Sequence, residues 1–570
     1  MKRKSFYFED YTDSELLNIN KTSNVIRVLP SRVAFIFFIF ICLVIVFSIK
    51  ITYLSLLKQK NFNAENSKKH FIHERRNIVD RNGSVLATNV NLYDLGVRPK
   101  LLNKVQKKNL LIQLKILFPN IKLSEVEKKL DKNDFFWIKK RLTPKMKEQF
   151  WLMGNKAFIF ESKPSRIYPQ KNLFSHVLGQ TDNINEGISG IEKFFDNALI
   201  SKEKINLPFE LTLDSNLQYL IREELIKAKS DFNNIGSAAI LMEVETGEVL
   251  SLVSLPDYDL NQRAKIEDKI YSNKITLDVY ELGSVFKTFT IAAGLENKVI
   301  EKNTILTNLE NKINCDKHTI SEHDPLPANL SIEQILVRSS NIGSVRIAQR
   351  LGVEKYKNFL NSLDLLVKAK FHLHEVGVPL PIKWGKCKLA TASFGRGITT
   401  TPLQLARAYA VLGNGGYKVK PQIIKNEKKL NKKREQIISS ETSDTINSML
   451  RNVVALDEGT ANFANIEGFD VAGKTGSSVK YKNGAKLNTF VALFPSKQPK
   501  YVLLVMLDEP KSAPNFVYNM PPSTKYPDGY KYKGENRNTS GWNTVVVAGK
   551  IIKKIGPILA INNLEASKNF

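Results

Sequence analysis

Residues 280–288 read Tyr280-Glu281-Leu282-Gly283-Ser284-Val285-Phe286-Lys287-Thr288. A glycine ahead of a serine, then apolar helix-compatible residues to Leu295, predicts a helix that starts at the serine. Ser284 and Lys287 then stand at i and i+3 on one helix face. The dipole of the helix N-terminus favours an alkoxide or oxyanion at Ser284. A Ser-x-x-Lys spacing also arises by chance, and a capping serine beside a solvated lysine accounts for any single match.

Two further stretches change that balance. Ser339-Ser340-Asn341 follows the amphipathic run SIEQILVR, and Lys474-Thr475-Gly476-Ser477 follows the β-prone FDVAG. Ser-x-x-Lys, then Ser-x-Asn, then Lys-Thr-Gly, in that order and widely spaced, is the pattern of penicillin-recognising serine acyltransferases.

The flanking sequence predicts a scaffold for these motifs. Asp214 and Ser215 stand where a helix N-cap belongs, ahead of a face of Leu217, Leu220, Ile221, Leu225 and Ile226. SAAILMEVETGEVLSLVSLP from Ser237 reads as two strands joined at Glu245-Thr246-Gly247-Glu248. TFVALFPSKQPKYVLLVMLDEP from Thr489 is a second strand–turn–strand, and residues 284–412 between them are mainly helical in pattern. Strands at both ends with helices between predict a multidomain α+β chain, its C-terminal sheet antiparallel and flanked by helices. The Pro-, Asn-, Tyr- and Lys-rich stretch from Lys511 to Trp542 predicts a long exposed loop.

Val33 to Ile49 is an uncharged apolar run, roughly 26 Å of helix at 1.5 Å per residue. Continued past Lys50, it is long enough to cross a bilayer as a single uncleaved anchor. Lys2, Arg3, Lys4, Arg27 and Arg32 precede it, whereas Lys50, Lys58, Lys60, Lys68 and Lys69 follow, so charge alone sets no orientation. The expected division is a tail at 1–32, the anchor at 33–57, a pedestal at 58–207, a catalytic domain at 208–562 and a tail at 563–570.

With these motifs in place, the chain resembles the class B penicillin-binding proteins, and within them the septal, division-specific transpeptidases. The resemblance includes Arg76-Asn77-Ile78-Val79-Asp80-Arg81-Asn82-Gly83, Arg166-Ile167-Tyr168-Pro169 and Gly187-Ile188-Ser189-Gly190-Ile191-Glu192 in the pedestal. It continues through Ser393-Phe394-Gly395-Arg396-Gly397, Thr401-Pro402-Leu403-Gln404, Glu458-Gly459-Thr460 and Ser540-Gly541-Trp542-Asn543. Asn77, Leu282 and Ser477 depart from the commoner Gly, Pro and Thr of the family.

The resemblance implies a peptidoglycan D,D-transpeptidase with Ser284 as nucleophile and Lys287 as base. Work near neutral pH requires the lysine's ordinary pKa of about 10.4 to fall by about 3 pH units, which burial and a second cation at Lys474 supply. Ser339 relays a proton, Asn341 holds Lys287 and the substrate amide, and the backbone N–H groups of Ser284 and Ser477 form the oxyanion hole. Lys474, Thr475, Gly476 and Ser477 bind the donor peptide. Asp80, Arg81, Arg166, His176 and Glu192 are expected to be structural, the first three as ion pairs. Implied partners are peptidoglycan stem peptides, β-lactams as inhibitors, the membrane, other division proteins and a separate membrane glycosyltransferase. The catalytic domain is expected in the periplasm, with the N-terminus cytoplasmic at the inner membrane. An elongation-type relative and a catalytically idle division scaffold stay open as alternatives.

The net charge of +28 is spread along the chain rather than gathered on one helix, which argues against a nucleic-acid partner. Cys42, Cys315 and Cys387 are the only cysteines and form no metal-ligand spacing, so neither metal nor cofactor is expected. Whether Cys315 and Cys387 pair is left open by the sequence.

Overall fold

A computed structural model describes residues 6–7, 27–28, 30–66, 74–262, 268–316, 318–425, 434–480 and 484–568. It divides into two units, residues 1–71 and 72–570. In the first, helix α1 (Pro30–Asn66) contains the apolar stretch Val33–Tyr53, with a mean hydropathy of 2.9 and no burial within the protein. Phe35, Phe37, Phe40 and Phe47 all point outward. An apolar helix of this length satisfies its own backbone and leaves its side chains to a lipid solvent.

The second unit begins with a sheet of β1 (Ile78–Val79), β2 (Val85–Val97), β3 (Phe136–Leu142), β4 (Phe158–Ile167) and β5 (Phe209–Glu210). The order is β3–β2–β1–β5, and β4 pairs along β2 from Thr88↔Ile167 to Val97↔Phe158. Leu95, Leu110, Leu114, Leu130 and Phe150 form a small core of their own. Elsewhere in this part Arg75, Arg166 and Glu192 are buried side by side. Glu192 accepts from Arg75 Nε at 2.8 Å and from Arg166 Nε at 2.7 Å.

The predicted Asp80 ion pair is not formed. Asp80 Oδ1 accepts from the backbone N–H groups of Asn82 (2.9 Å) and Ser84 (2.8 Å), and Oδ2 from that of Ser215 (3.0 Å). Arg81 faces Glu243 and Glu248 instead. An aspartate three residues before a turn glycine is better used as a turn acceptor. His176 packs as expected, its Nε2 2.7 Å from the Ile270 carbonyl.

Next comes α2 (Ser215–Phe232), capped by Asp214 as the sequence predicts, and then the hairpin β6 (Gly236–Glu243) and β7 (Val249–Leu255). Helix α3 (Phe286–Glu296) carries the serine motif at its start. A small hairpin, β8 (Lys312–Cys315) and β9 (His318–Ser321), interrupts the helical middle. Helices α4 (Asn341–Leu351), α5 (Pro402–Gly413) and α6 (Ser440–Ala455) follow. Strands β10 (Ala472–Val479), β11 (Lys486–Phe494) and β12 (Tyr501–Asp508) complete a five-stranded antiparallel sheet in the order β10–β11–β12–β6–β7. All eight residues of β12 are buried, as a central strand covered on both faces requires. Helices α2 and the C-terminal α7 (Thr544–Lys568) pack on this sheet, as does α5.

The stretch from Lys511 to Trp542 is not a loop throughout. It folds as the hairpin β13 (Ala513–Met520) and β14 (Tyr530–Glu535). Tyr518 is buried at its centre, edge-on to Trp542 with ring centroids 5.3 Å apart, and its hydroxyl donates to the Trp542 carbonyl at 3.1 Å. Aromatic cross-packing holds strands whose Pro and Lys content conceals them.

Candidate active site

The serine turn is built by close packing. Gly283 has φ +68° and opens a 3-10 turn, Gly283–Val285, that continues into α3. Every residue from Phe286 to Gly294 is buried, with Lys287, Thr288 and Thr290 as polar groups among apolar neighbours. Buried tyrosines fix its start. Tyr409 OH donates to the Val285 carbonyl at 2.9 Å and lies 2.9 Å from Thr288 Oγ1, while Tyr356 OH lies 3.0 Å from Thr290 Oγ1. Ser284 is 8 % exposed, and Lys287 on the next turn is fully buried.

Three polar groups converge beside that turn. Lys287 Nζ and Lys474 Nζ each donate to Ser339 Oγ at 3.0 Å. Lys287 Nζ also donates to the Ser339 carbonyl, and Lys474 Nζ to Thr475 O at 3.2 Å and Thr475 Oγ1 at 3.3 Å. Ser339 holds this position with φ +59°, between the helical turn Ile332–Val337 and α4. Burial pulls the Lys287 ammonium down from 10.5 to about 7, against the opposing charge of Glu322. Lys474 is driven well below its ordinary value by burial and then by Lys287.

Edge strand β10 forms the opposite wall. A Cβ at Gly476 would stand 2.3 Å from the Leu282 carbonyl, and one at Gly283 would stand 2.7 Å from the Ser477 carbonyl. Strand and serine turn therefore touch backbone to backbone, which only glycine permits. The same packing puts the Ser477 amide nitrogen 3.1 Å from the Gly283 Cβ position, beside Ser284. Thr475 Oγ1 meets Thr460 Oγ1 at 2.9 Å, and Ser477 Oγ accepts from the Ser540 N–H at 3.0 Å.

The sequence-predicted residues thus meet in one place, with one difference. Asn341 does not bond Lys287; its Nδ2 donates to the Ser321 carbonyl at 2.8 Å, and its buried Oδ1 has no partner among the described residues. Sequence reasoning missed Glu322, Tyr409 and Thr460. Thr460 had a signal in Glu458-Gly459-Thr460, and Tyr409 only its place in an apolar helix. Cys315 and Cys387, left open by the sequence, are joined as a disulfide with Cα atoms 5.5 Å apart.

Comparison with known proteins identifies the family. The family described as penicillin binding protein transpeptidase domain matches residues 237–521, and the penicillin-binding protein dimerisation domain matches residues 73–207. A Caulobacter vibrioides protein named probable peptidoglycan D,D-transpeptidase FtsI is 30% identical over 501 residues, covering 85% of this chain and 82% of the relative. The chain belongs to the class B penicillin-binding proteins. Peptidoglycan D,D-transpeptidase FtsI of Escherichia coli K12 is 27% identical over 476 residues, 76% of this chain and 79% of the relative. Penicillin-binding protein 3 of Mycobacterium tuberculosis, solved in complex with aztreonam, superposes with a TM-score of 0.63 at 21% identity, covering 85% of this chain and 96% of that one. At that identity the last match speaks for the fold alone.

Proposed function

We propose that this class B penicillin-binding protein is a septal, monofunctional serine D,D-transpeptidase that cross-links peptidoglycan stem peptides and is acylated by β-lactams. One observation carries the reading: two buried lysines, Lys287 and Lys474, converge at 3.0 Å on Ser339 Oγ, with Lys287 one helical turn from Ser284.

In this mechanism neutral Lys287 takes the proton as Ser284 Oγ adds to the carbonyl carbon between two D-alanines. The Ser284 and Ser477 N–H groups hold the resulting oxyanion. Collapse breaks the C–N bond, and the departing amine receives its proton through Ser339. Lys474 and Thr475 hold the terminal carboxylate of the donor, and Gly476 lets its backbone run beside the open edge of β10. An amine from a neighbouring stem peptide then attacks the ester and gives its proton to Lys287, which passes it to Ser284 Oγ as the ester C–O bond breaks, restoring the serine hydroxyl and the neutral lysine. Asn341 bears on the substrate amide through its unpartnered Oδ1 rather than on Lys287.

Residues 33–57 anchor the enzyme, with 1–32 in the cytoplasm, and the pedestal and catalytic domains (58–207 and 208–562) stand in the periplasm. The Cys315–Cys387 bond fits that oxidising compartment. Glycan polymerisation falls to a separate membrane glycosyltransferase and recruitment to other division proteins. Ser284→Ala tests the chemistry. Fluorescent penicillin labelling and growth on complementation should both be lost, and full complementation would sink the proposal. Depletion should give filaments; round cells would move the enzyme to elongation.

A further inference from the structure

Glu322 lies outside all three motifs, yet its carboxylate bonds twice to the Ser339–Asn341 turn and once to the residue that follows it. Its Oε1 accepts from Ser340 Oγ at 2.6 Å and from the Ile342 N–H at 2.9 Å, and its Oε2 accepts from the Asn341 N–H at 2.7 Å. Two of the free N–H groups that open α4 are thereby satisfied by one carboxylate. The hairpin that delivers it is fastened twice. Cys315 is bonded to Cys387, and the Ser321 carbonyl accepts from Asn341 Nδ2 at 2.8 Å.

We propose that Glu322 is a positioning residue for acylation, its carboxylate fixing the turn that aims the Ser339 hydroxyl and carbonyl at Lys287. The inference rests on the Ser284 acyl-enzyme proposed above. Ser339 stands in the left-handed region, φ +59°, which a side-chain-bearing residue keeps only where neighbours enforce it. Glu322 enforces it from the residues immediately following. The titratable groups bearing on Lys287 are Glu322 and His323 from the hairpin and Lys474 from β10, and Glu322 is the acid among them. Its carboxylate therefore also raises the proton affinity of Lys287, opposing burial.

The test uses the detergent-solubilised full chain and the rate of fluorescent penicillin acylation as a function of pH. Glu322→Gln keeps the shape and removes the charge. It should slow acylation by roughly tenfold or more, the loss expected for bonds to a charged acceptor. It should also move the acid limb to lower pH, because Lys287 gives up its proton more readily. Glu322→Asp should return the limb to its wild-type position and recover most of the rate. A Gln variant that acylates at the wild-type rate, or that slows with the limb unmoved, refutes the proposal. If Glu322→Gln does not fold, the Asp variant decides alone: a displaced limb refutes it and an unmoved limb with a modest rate loss supports it. A wild type that carries no adduct on Ser284 by mass mapping overturns the enzyme reading as well, whereas failure confined to the variants overturns this inference only.

Discussion

Lys287→Met should make the protein more stable at neutral pH while ending its reactivity with penicillin. The unfolded chain keeps this lysine protonated up to its ordinary 10.5, whereas the folded chain does so only below about 7. Between those values the unfolded state binds more protons, so wild-type stability climbs as pH rises. The gap corresponds to about 5 kcal/mol of destabilisation that is fully present below pH 7 and gone above 10.5. Methionine fills the same buried space without a charge, but it leaves the Ser339 carbonyl without the Lys287 donor, a loss of about 1–3 kcal/mol. The net expectation is a gain of roughly 3 kcal/mol near pH 6 that shrinks by about 1.4 kcal/mol per pH unit above 7 and reverses near pH 9. Denaturant unfolding of both proteins across that interval measures it. A stability difference that stays constant with pH, or a variant weaker than wild type on the acid side, would refute the assignment of Lys287 as a buried, neutral amine.

Other substitutions test other parts of the framework. Gly283→Ala places a Cβ 2.7 Å from the Ser477 carbonyl at a φ of +68°; acylation should fall about a hundredfold or more as the oxyanion site is pushed apart, read from labelling kinetics with circular dichroism unchanged. Glu192→Gln removes the charge that Arg75 and Arg166 share in a fully buried site; stability should drop by about 3–5 kcal/mol, and a melting temperature equal to wild type would contradict the buried triad. Cys315→Ser opens a bond closing 72 residues of chain; the loop-entropy estimate is a loss of about 4 kcal/mol, checked by unfolding with and without reductant, which should affect only the wild type.

What the sequence made legible follows the physics of each feature. The Ser-x-x-Lys and Lys-Thr-Gly stretches were readable because serine acyl-transfer chemistry tolerates few residue types at fixed local spacings. The β6–β7 and β11–β12 hairpins were readable because alternation and turn residues lie within a short window. Glu322 was not: it sits in the stretch Ser321-Glu322-His323-Asp324, where nothing distinguishes it, and its partners are the Ser340 hydroxyl and two backbone N–H groups 18 to 20 residues onward. The β13–β14 hairpin was misread because Pro, Asn and Lys dominate its composition, and only the burial of Tyr518 against Trp542 shows that its strands are packed. The Cys315–Cys387 pairing depends on a Cα separation of 5.5 Å that no spacing in the chain encodes. Asn341 was assigned to Lys287 by motif, but its amide N–H is directed by the neighbouring hairpin, which the motif does not contain.

The two lysines explain why so much structure surrounds one serine. Both Nζ atoms lie 3.0 Å from Ser339 Oγ, and both lysines are fully excluded from water. Two ammonium ions in such a site repel each other and each loses its hydration, so near neutral pH the pair does not hold its full complement of protons. In the mechanism proposed above, a pair that is short of a proton and bridged by a hydroxyl able to donate and accept would move a proton across the cleft without moving a heavy atom. That is the service acyl transfer needs twice, once toward the leaving amine and once from the attacking one. The cost of keeping the pair short of protons is borne by the helix caps, the buried tyrosines and the glycine contacts that hold Ser339 and β10 in place. Loosening any of them should admit water, restore the ordinary proton affinity of Lys287 and silence Ser284 even though every motif residue is present.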